Sequence, residues 1–148
     1  MPEDIWFTTA RLSILLSQEG GPGGVSLIEH RMAQGFGVPL HIHDEEDEHF
    51  YMQDGEVELR IADETRRLMP GNAVRVPAGT VHAFRVLSPE ARFLTITTGR
   101  FEAMVRSLGR PPESAGLPPQ TEPTAEQAAM LVAACRLHGI RFVDPSLA

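Results

Sequence analysis

The chain has 148 residues, about the length of one domain, and an ordinary apolar content of 42%. Its net charge of −7 argues against a nucleic-acid-binding protein, which would present a basic surface. One cysteine and no lysine exclude an internal disulfide and Schiff-base chemistry on a lysine. No apolar run is long enough to span a membrane and the N-terminus does not resemble a signal peptide, so we expect a cytoplasmic protein that does not bind membranes.

The first two thirds of the chain are short segments rich in β-branched and aromatic residues, separated by glycine and proline turns. Such a series without intervening helices is typical of an antiparallel sandwich or barrel. In one segment Val57, Leu59 and Ile61 alternate with charged residues, which indicates one core face and one solvent face. Nine strands are predicted, at Ile5–Thr9, Arg11–Ser17, Val25–Ala33, Val38–His43, Glu48–Gln53, Glu56–Asp63, Ala73–Val76, Val81–Leu87 and Ala91–Thr97.

The last third of the chain has a different character. A short helix is predicted over Phe101–Leu108, followed by an extended linker at Arg110–Pro123 that holds five of the 12 prolines. A second helix is predicted over Thr124–His138, since Thr124 and Gln127 fit a capping box. These features divide the chain into a barrel at residues 1–99, a short helix and linker at 100–123, and a helix and tail at 124–148.

The second helix carries an apolar stripe that needs a surface to pack against. We expect this surface to be either the barrel or a second subunit. The stripe consists of Ala128, Leu131, Val132 and Cys135.

Three histidines and one glutamate stand at spacings that suit a metal site. His41 and His43 are two residues apart on a predicted strand, so their side chains share one face. Glu48 begins the next predicted strand and faces the same interior if the two strands pair antiparallel. His82 follows a proline and glycine turn near the start of a later strand. Three imidazoles and a carboxylate suit a divalent transition metal, and Fe, Mn, Ni, Co, Cu and Zn all accept this ligand set.

These stretches resemble the two signature motifs of the cupin superfamily, G-x5-H-x-H-x3–4-E-x6-G and G-x5-P-x-G-x2-H-x3-N. The first is matched at every specified position from Gly35 to Gly55, and the second from Gly71 to His82, with Val86 in place of the asparagine. The resemblance implies a mainly β, double-stranded β-helix (jelly-roll) barrel, with a short C-terminal helical extension like that of small quercetin-dioxygenase-like cupins. It also implies a homodimer and one metal per chain, held by His41, His43, Glu48 and His82.

Other polar residues near these motifs have several interpretations. Glu45 is an alternative ligand to Glu48, but Glu48 is preferred because it is in phase with the inward side of its strand. Asp44 to Asp47 then form a solvated edge of the site. His49 is expected to face away from the metal, and His30 either lines the barrel or contacts a partner. His138, three residues after Cys135, is interpreted as a helix end rather than a ligand.

Strand phase places four apolar side chains on the same faces as the ligands, and we expect them to bind the substrate: Phe50, Met52, Phe84 and Val86. An apolar wall beside a metal favours a small, flat substrate that presents a pair of oxygens. The first hypothesis is therefore a metal-dependent, dioxygenase-like oxidoreductase, in which Glu48 is a ligand or the catalytic base. The alternatives are a metal-dependent isomerase or lyase, and a non-catalytic protein that binds a small molecule.

Overall fold

The computed structural model describes residues 2–143, which form a mainly β domain with two short helices. One antiparallel sheet has six strands in the order β1-β2-β3-β10-β5-β8, and the other has five in the order β11-β4-β9-β6-β7. The strands are β1 Glu3–Phe7, β2 Ala10–Leu16, β3 Ser26–Ala33, β4 Gly37–His43, β5 Glu48–Asp54, β6 Val57–Ile61, β7 Glu64–Leu68, β8 Ala73–Val76, β9 His82–Val86, β10 Glu90–Thr97 and β11 Ile140–Phe142.

The inner faces of the two sheets enclose the core. Along β10 buried and outward residues alternate, with Ala91, Phe93, Thr95 and Thr97 pointing inward. Strand β3 alternates in the same way. The two antiparallel sheets and the two helices that follow them confirm the predicted double-stranded β-helix with a helical extension. The period-two pattern in the sequence is also the pattern of burial.

The region of β6 and β7 differs from the sequence prediction. The segment predicted as one strand over Glu56–Asp63 ends at Ile61, and a two-residue turn at Ala62 and Asp63 leads into β7. Ala62 has a φ of 52°, a left-handed backbone conformation that an alanine in the sequence does not predict. Strand β7 itself is mostly exposed and polar, so it has no apolar alternation to detect.

The C-terminal helices are α1 at Phe101–Leu108 and α2 at Ala125–Leu137. The capping box of Thr124 and Gln127 is present. Helix α2 packs against α1 and β11. The apolar stripe is only partly covered there: Cys135 is buried and Leu131 half-buried, whereas Ala128 and Val132 are exposed. The homodimer implied by the resemblance stays a prediction. Within residues 2–143 neither helix is long and apolar enough to cross a membrane.

Strand β11 was absent from the sequence prediction, and it matters for the site. It pairs antiparallel with β4 and places Ile140 opposite His43 and Phe142 opposite His41. A three-residue strand that follows a helix leaves almost no periodic signal. The pairing is extended by the Asp44 amide, which donates to the Gly139 carbonyl at 2.8 Å. The C-terminal segment therefore covers the sheet edge that carries two of the predicted metal ligands.

Candidate metal centre

Three histidines meet inside the barrel on neighbouring strands. His41 and His43 lie on β4, and His82 lies directly opposite His41 on β9. One ring nitrogen from each of the three lies within 4.8 Å of the other two. All three side chains are at most 5% exposed. The strand pairing of the five-stranded sheet thus brings together the imidazoles of both sequence motifs.

Glu48 reaches this group from the opposite sheet. The pairing considered from the sequence, in which the strand of Glu48 pairs with that of His41 and His43, is wrong: β5 pairs with β10 and β8, while β4 pairs with β9 and β11. Closure of the barrel still points Glu48 inward. Its carboxylate oxygens lie 3.3 Å from His43 Nε2 and 3.5 Å from His82 Nε2. Glu48 is therefore near two of the three imidazoles, whereas Glu45 is exposed.

The outward nitrogen of each imidazole is already engaged. His41 Nδ1 lies 2.8 Å from the Pro39 carbonyl and His82 Nδ1 lies 3.0 Å from the Thr80 carbonyl, and both donate to these acceptors. A proton on Nδ1 leaves the lone pair of Nε2 free for a ligand. His82 Nε2 is buried and has no hydrogen-bond partner within residues 2–143. A buried, unpaired acceptor facing a carboxylate and two further imidazoles fits a divalent metal.

The charges of two members of this group also suit a cation. Burial lowers the pKa of His41 to about 3, and repulsion from His82 and His43 acts in the same direction. Burial opposes ionisation of Glu48, but the neighbouring imidazoles outweigh it and bring its pKa down to about 2. Burial also lowers the pKa of His43, yet Glu48 and Glu46 outweigh this and raise it. At neutral pH the group therefore offers a neutral imidazole at His41 and an ionised carboxylate at Glu48.

Glu46 contradicts the expectation of a fully solvated acidic edge. It is only 4% exposed, and its Oε1 lies 2.8 Å from His43 Nδ1. Its other oxygen accepts a hydrogen bond from the Arg100 amide at 2.8 Å. This role is not evident from the sequence because Glu46 stands in a run of five acids, and only its position three residues after His43 could have signalled it.

The remaining three acids that precede Glu48, at Asp44, Glu45 and Asp47, are partly or fully exposed and lie near arginines. Asp44 pairs with Arg141, and Asp47 pairs with Arg75. These two carboxylates fit the predicted solvated edge, because water and an arginine stabilise their charge.

The remaining histidines take different positions. His30 is buried inside the barrel, where its Nε2 lies 2.9 Å from Thr95 Oγ1 and its ring lies 4.8 Å from that of Phe93. Burial lowers its pKa to about 4. His49 lies on the outer side of β5, with its Nδ1 3.2 Å from the Ile96 carbonyl. The His138 ring contacts the backbone of its own helix end, at the Ala134 carbonyl.

The predicted substrate wall is apolar, as expected. Phe50 and Phe84 lie two residues along from Glu48 and His82 and form a cluster with Phe93. Met52 and Val86 lie two residues further along the same strands and are fully buried. The assignment of all four as substrate-binding residues stays a prediction.

Polar side chains beside this wall were not predicted. Thr97 is 2% exposed, and its Oγ1 has no hydrogen-bond partner among the residues that the structure describes. Its register partners are Glu48 on one side and Ser26 on the other. Cross-strand partners point to the same face of a sheet. The inner face next to Glu48 therefore carries hydroxyl groups, at Thr97 and at Thr95. These threonines could have been predicted from the sequence, because they alternate in step with the inward-facing residues of the last predicted strand.

The fold and the buried histidine group define a β-barrel protein with a candidate site for one metal ion. Comparison with known families agrees with this class, because residues 28–97 match the family described as a cupin domain. The chain therefore carries a domain of the cupin superfamily.

Similar proteins have several different functions. A quercetin 2,3-dioxygenase from Bacillus subtilis (strain 168) is 32% identical over 87 residues, which are 58% of this chain and 26% of that protein. The chain thus matches about a quarter of the length of this relative. Two solved structures share the fold, with TM-scores of 0.58 and 0.52.

The first of these structures is KdgF from Halomonas sp., which is 24% identical and covers 65% of this chain and 84% of its own. The second is described as a sugar phosphate isomerase of the cupin superfamily from Silicibacter pomeroyi. It is 25% identical and covers 61% of this chain and 59% of its own.

Proposed function

We propose that the protein is a metal-dependent, dioxygenase-like oxidoreductase that acts on a small apolar or aromatic substrate with two neighbouring oxygens. The observation that carries this proposal is the buried group in which Nε2 of His43 and His82 faces the Glu48 carboxylate, beside a wall of phenylalanines. The similarity to a quercetin 2,3-dioxygenase supports the same reaction class.

The metal would be held by His41, His43 and His82, with Glu48 as the fourth ligand. A bound divalent transition metal would supply a Lewis acid that polarises the oxygens of a substrate. Glu48 is ionised, so it balances the metal charge or accepts the proton of a substrate hydroxyl. Phe50 and Phe84 contact the apolar part of the substrate and exclude water.

The proposal is tested by oxygen uptake. Protein freed of metal with a chelator is reloaded separately with iron, manganese, nickel, cobalt, copper or zinc, and each form is incubated with flavonols and catechols. We expect uptake with at least one metal and none with the His82→Ala variant loaded in the same way. Binding of these compounds without uptake by any metal form would indicate a non-catalytic binding protein instead.

A second candidate function is a metal-dependent isomerase or lyase. It is favoured by the buried hydroxyl of Thr97 next to Glu48 and by His30 nearby, because a substrate with several hydroxyl groups needs polar partners beside the metal. The likeness to a sugar phosphate isomerase agrees with this reading. Turnover of a sugar phosphate or hydroxy ketone under strictly anaerobic conditions, abolished in Thr97→Val, would favour this reaction over oxygen chemistry.

A further inference from the structure

We infer that Glu46 is a positioning residue of the metal centre, which orients His43 and connects it to the start of helix α1. The inference rests on the proposed metal site and adds a residue that lies outside the ligand set. Glu46 is buried to the same degree as the ligands themselves, with 4% of its surface exposed. A glutamate in a surface loop is seldom buried without a specific partner, because its charge is costly to remove from water.

The first partner of Glu46 is the ring of His43. Oε1 lies 2.8 Å from His43 Nδ1, so the imidazole donates its Nδ1 proton to a carboxylate and presents the Nε2 lone pair to the metal. His41 and His82 make the corresponding bond to backbone carbonyls two residues earlier. Of these three imidazoles, His43 alone is held by an ionisable side chain. The carboxylate fixes the orientation of the ring and makes Nε2 a stronger electron-pair donor to a metal cation.

The second partner of Glu46 is the backbone at the start of α1. Oε2 accepts a hydrogen bond from the Arg100 amide at 2.8 Å, and Arg100 is the N-cap residue of that helix. A negative charge at this end of a helix is favourable, since the helix dipole is positive there. Gly99 has a φ of 73°, and a Cβ atom at this position would overlap Glu46 Oε2. The chain between the barrel and α1 is therefore shaped to admit the carboxylate.

These contacts give the C-terminal extension a role in the metal centre. Arg100 also donates from its guanidinium to the Leu137 carbonyl at the end of α2 at 2.8 Å. A continuous series of hydrogen bonds thus runs from His43 through Glu46 and Arg100 to both helices. Removal of Glu46 should loosen His43 without removing any metal ligand.

The test compares metal affinity in three variants of the full chain. Metal-free Glu46→Ala, Glu46→Gln and Glu45→Ala are titrated with zinc and with cobalt(II) in competition with a chromophoric chelator. We expect Glu46→Ala to bind roughly 10- to 100-fold more weakly, the range for loss of a partner of a metal-bound imidazole. Glu46→Gln keeps the shape of the side chain, but its NH2 group must face either His43 Nδ1–H or the Arg100 amide, and both of these are donors. This variant should therefore weaken metal binding as well. Glu45→Ala removes an exposed carboxylate that lies 3.5 Å from the Arg100 guanidinium and contacts neither His43 nor the Arg100 amide, so this variant should bind like the wild type.

A second readout separates positioning from a general structural effect. In the zinc-loaded wild type, we expect a downfield proton resonance from His43 Nδ1–H that exchanges slowly with water, and we expect its loss in Glu46→Gln although the fold is kept. Failure of the wild type to retain either metal would overturn the metal centre together with this role. Wild-type binding with unchanged affinity and an unchanged resonance in Glu46→Gln would overturn only the role of Glu46.

Discussion

Glu48 and His43 belong to opposite sheets of the barrel, yet Glu48 Oε2 lies 3.3 Å from His43 Nε2. A metal bound between them would cross-link the two sheets, since the imidazoles lie on β4 and β9 and the carboxylate on β5. Metal binding should therefore stabilise the whole fold rather than one hairpin. A ligand at 100 times its dissociation constant adds about 2.7 kcal/mol to the free energy of unfolding.

We predict that a chelator lowers the melting temperature of the protein and that added zinc restores it. His41→Ala should abolish both metal retention, measured by elemental analysis, and this shift in melting temperature. His49→Ala is the matched control, because it removes an imidazole from the outer face of the opposite sheet. Equal loss of metal in the two variants would contradict the assignment of His41 as a ligand.

The sequence was sufficient to predict the fold class and the residues of the histidine group, because motif spacing and strand phase are both local properties. It was not sufficient for the pairing of β5, since the neighbours of a strand depend on how the sheets close. Glu46 was missed for a similar reason. Its burial depends on Arg100, which is 54 residues away in the sequence. Strand β11 was missed because its pairing with β4 is a long-range contact.

A second prediction concerns stability in acid. His30 is buried, and desolvation lowers its pKa from 6.5 to about 4, although the charge of Glu48 acts in the opposite direction. As the pH falls below 6.5 the unfolded chain takes up a proton at this position and the folded protein does not. The contribution of His30 to the free energy of unfolding is therefore fully present above pH 6.5. It is lost as the pH falls toward 4, and the total loss is about 3 kcal/mol.

The measurement is the free energy of unfolding of the metal-free protein in urea, at several values between pH 4 and pH 7. The double variant His30→Phe, Thr95→Val removes the imidazole and its hydroxyl partner together, so no polar group is left unpaired. We expect the double variant to lose less stability than the wild type over this range. A parallel pH dependence in the two proteins would show that His30 does not cause the acid sensitivity.

A third prediction concerns Gly99. Both Gly99 and Gly71 have a positive φ, of 73° and 91°, but a Cβ atom at Gly71 would meet no atom of the described part of the chain within 4 Å. Alanine at either position carries the strain of a left-handed backbone, about 1–2 kcal/mol. Alanine at Gly99 must also displace the Glu46 carboxylate. We expect Gly99→Ala to lose clearly more unfolding free energy than Gly71→Ala in thermal or urea denaturation, and equal losses would contradict the close packing of Gly99 on Glu46.

The last prediction concerns β11, which packs the C-terminal segment onto the strand that carries His41 and His43. Ile140 is 3% exposed, so Ile140→Ala should destabilise the protein by about 2–4 kcal/mol through loss of burial and formation of a cavity. Leu137→Ala is the control, because Leu137 is 73% exposed and its truncation should cost less than about 0.5 kcal/mol. If β11 opens as a local unit, hydrogen exchange at the Asp44 amide, which bonds to the Gly139 carbonyl, should accelerate in Ile140→Ala before the barrel unfolds. Exchange of this amide at the rate of global unfolding in both variants would instead show that β11 and the barrel unfold as one unit.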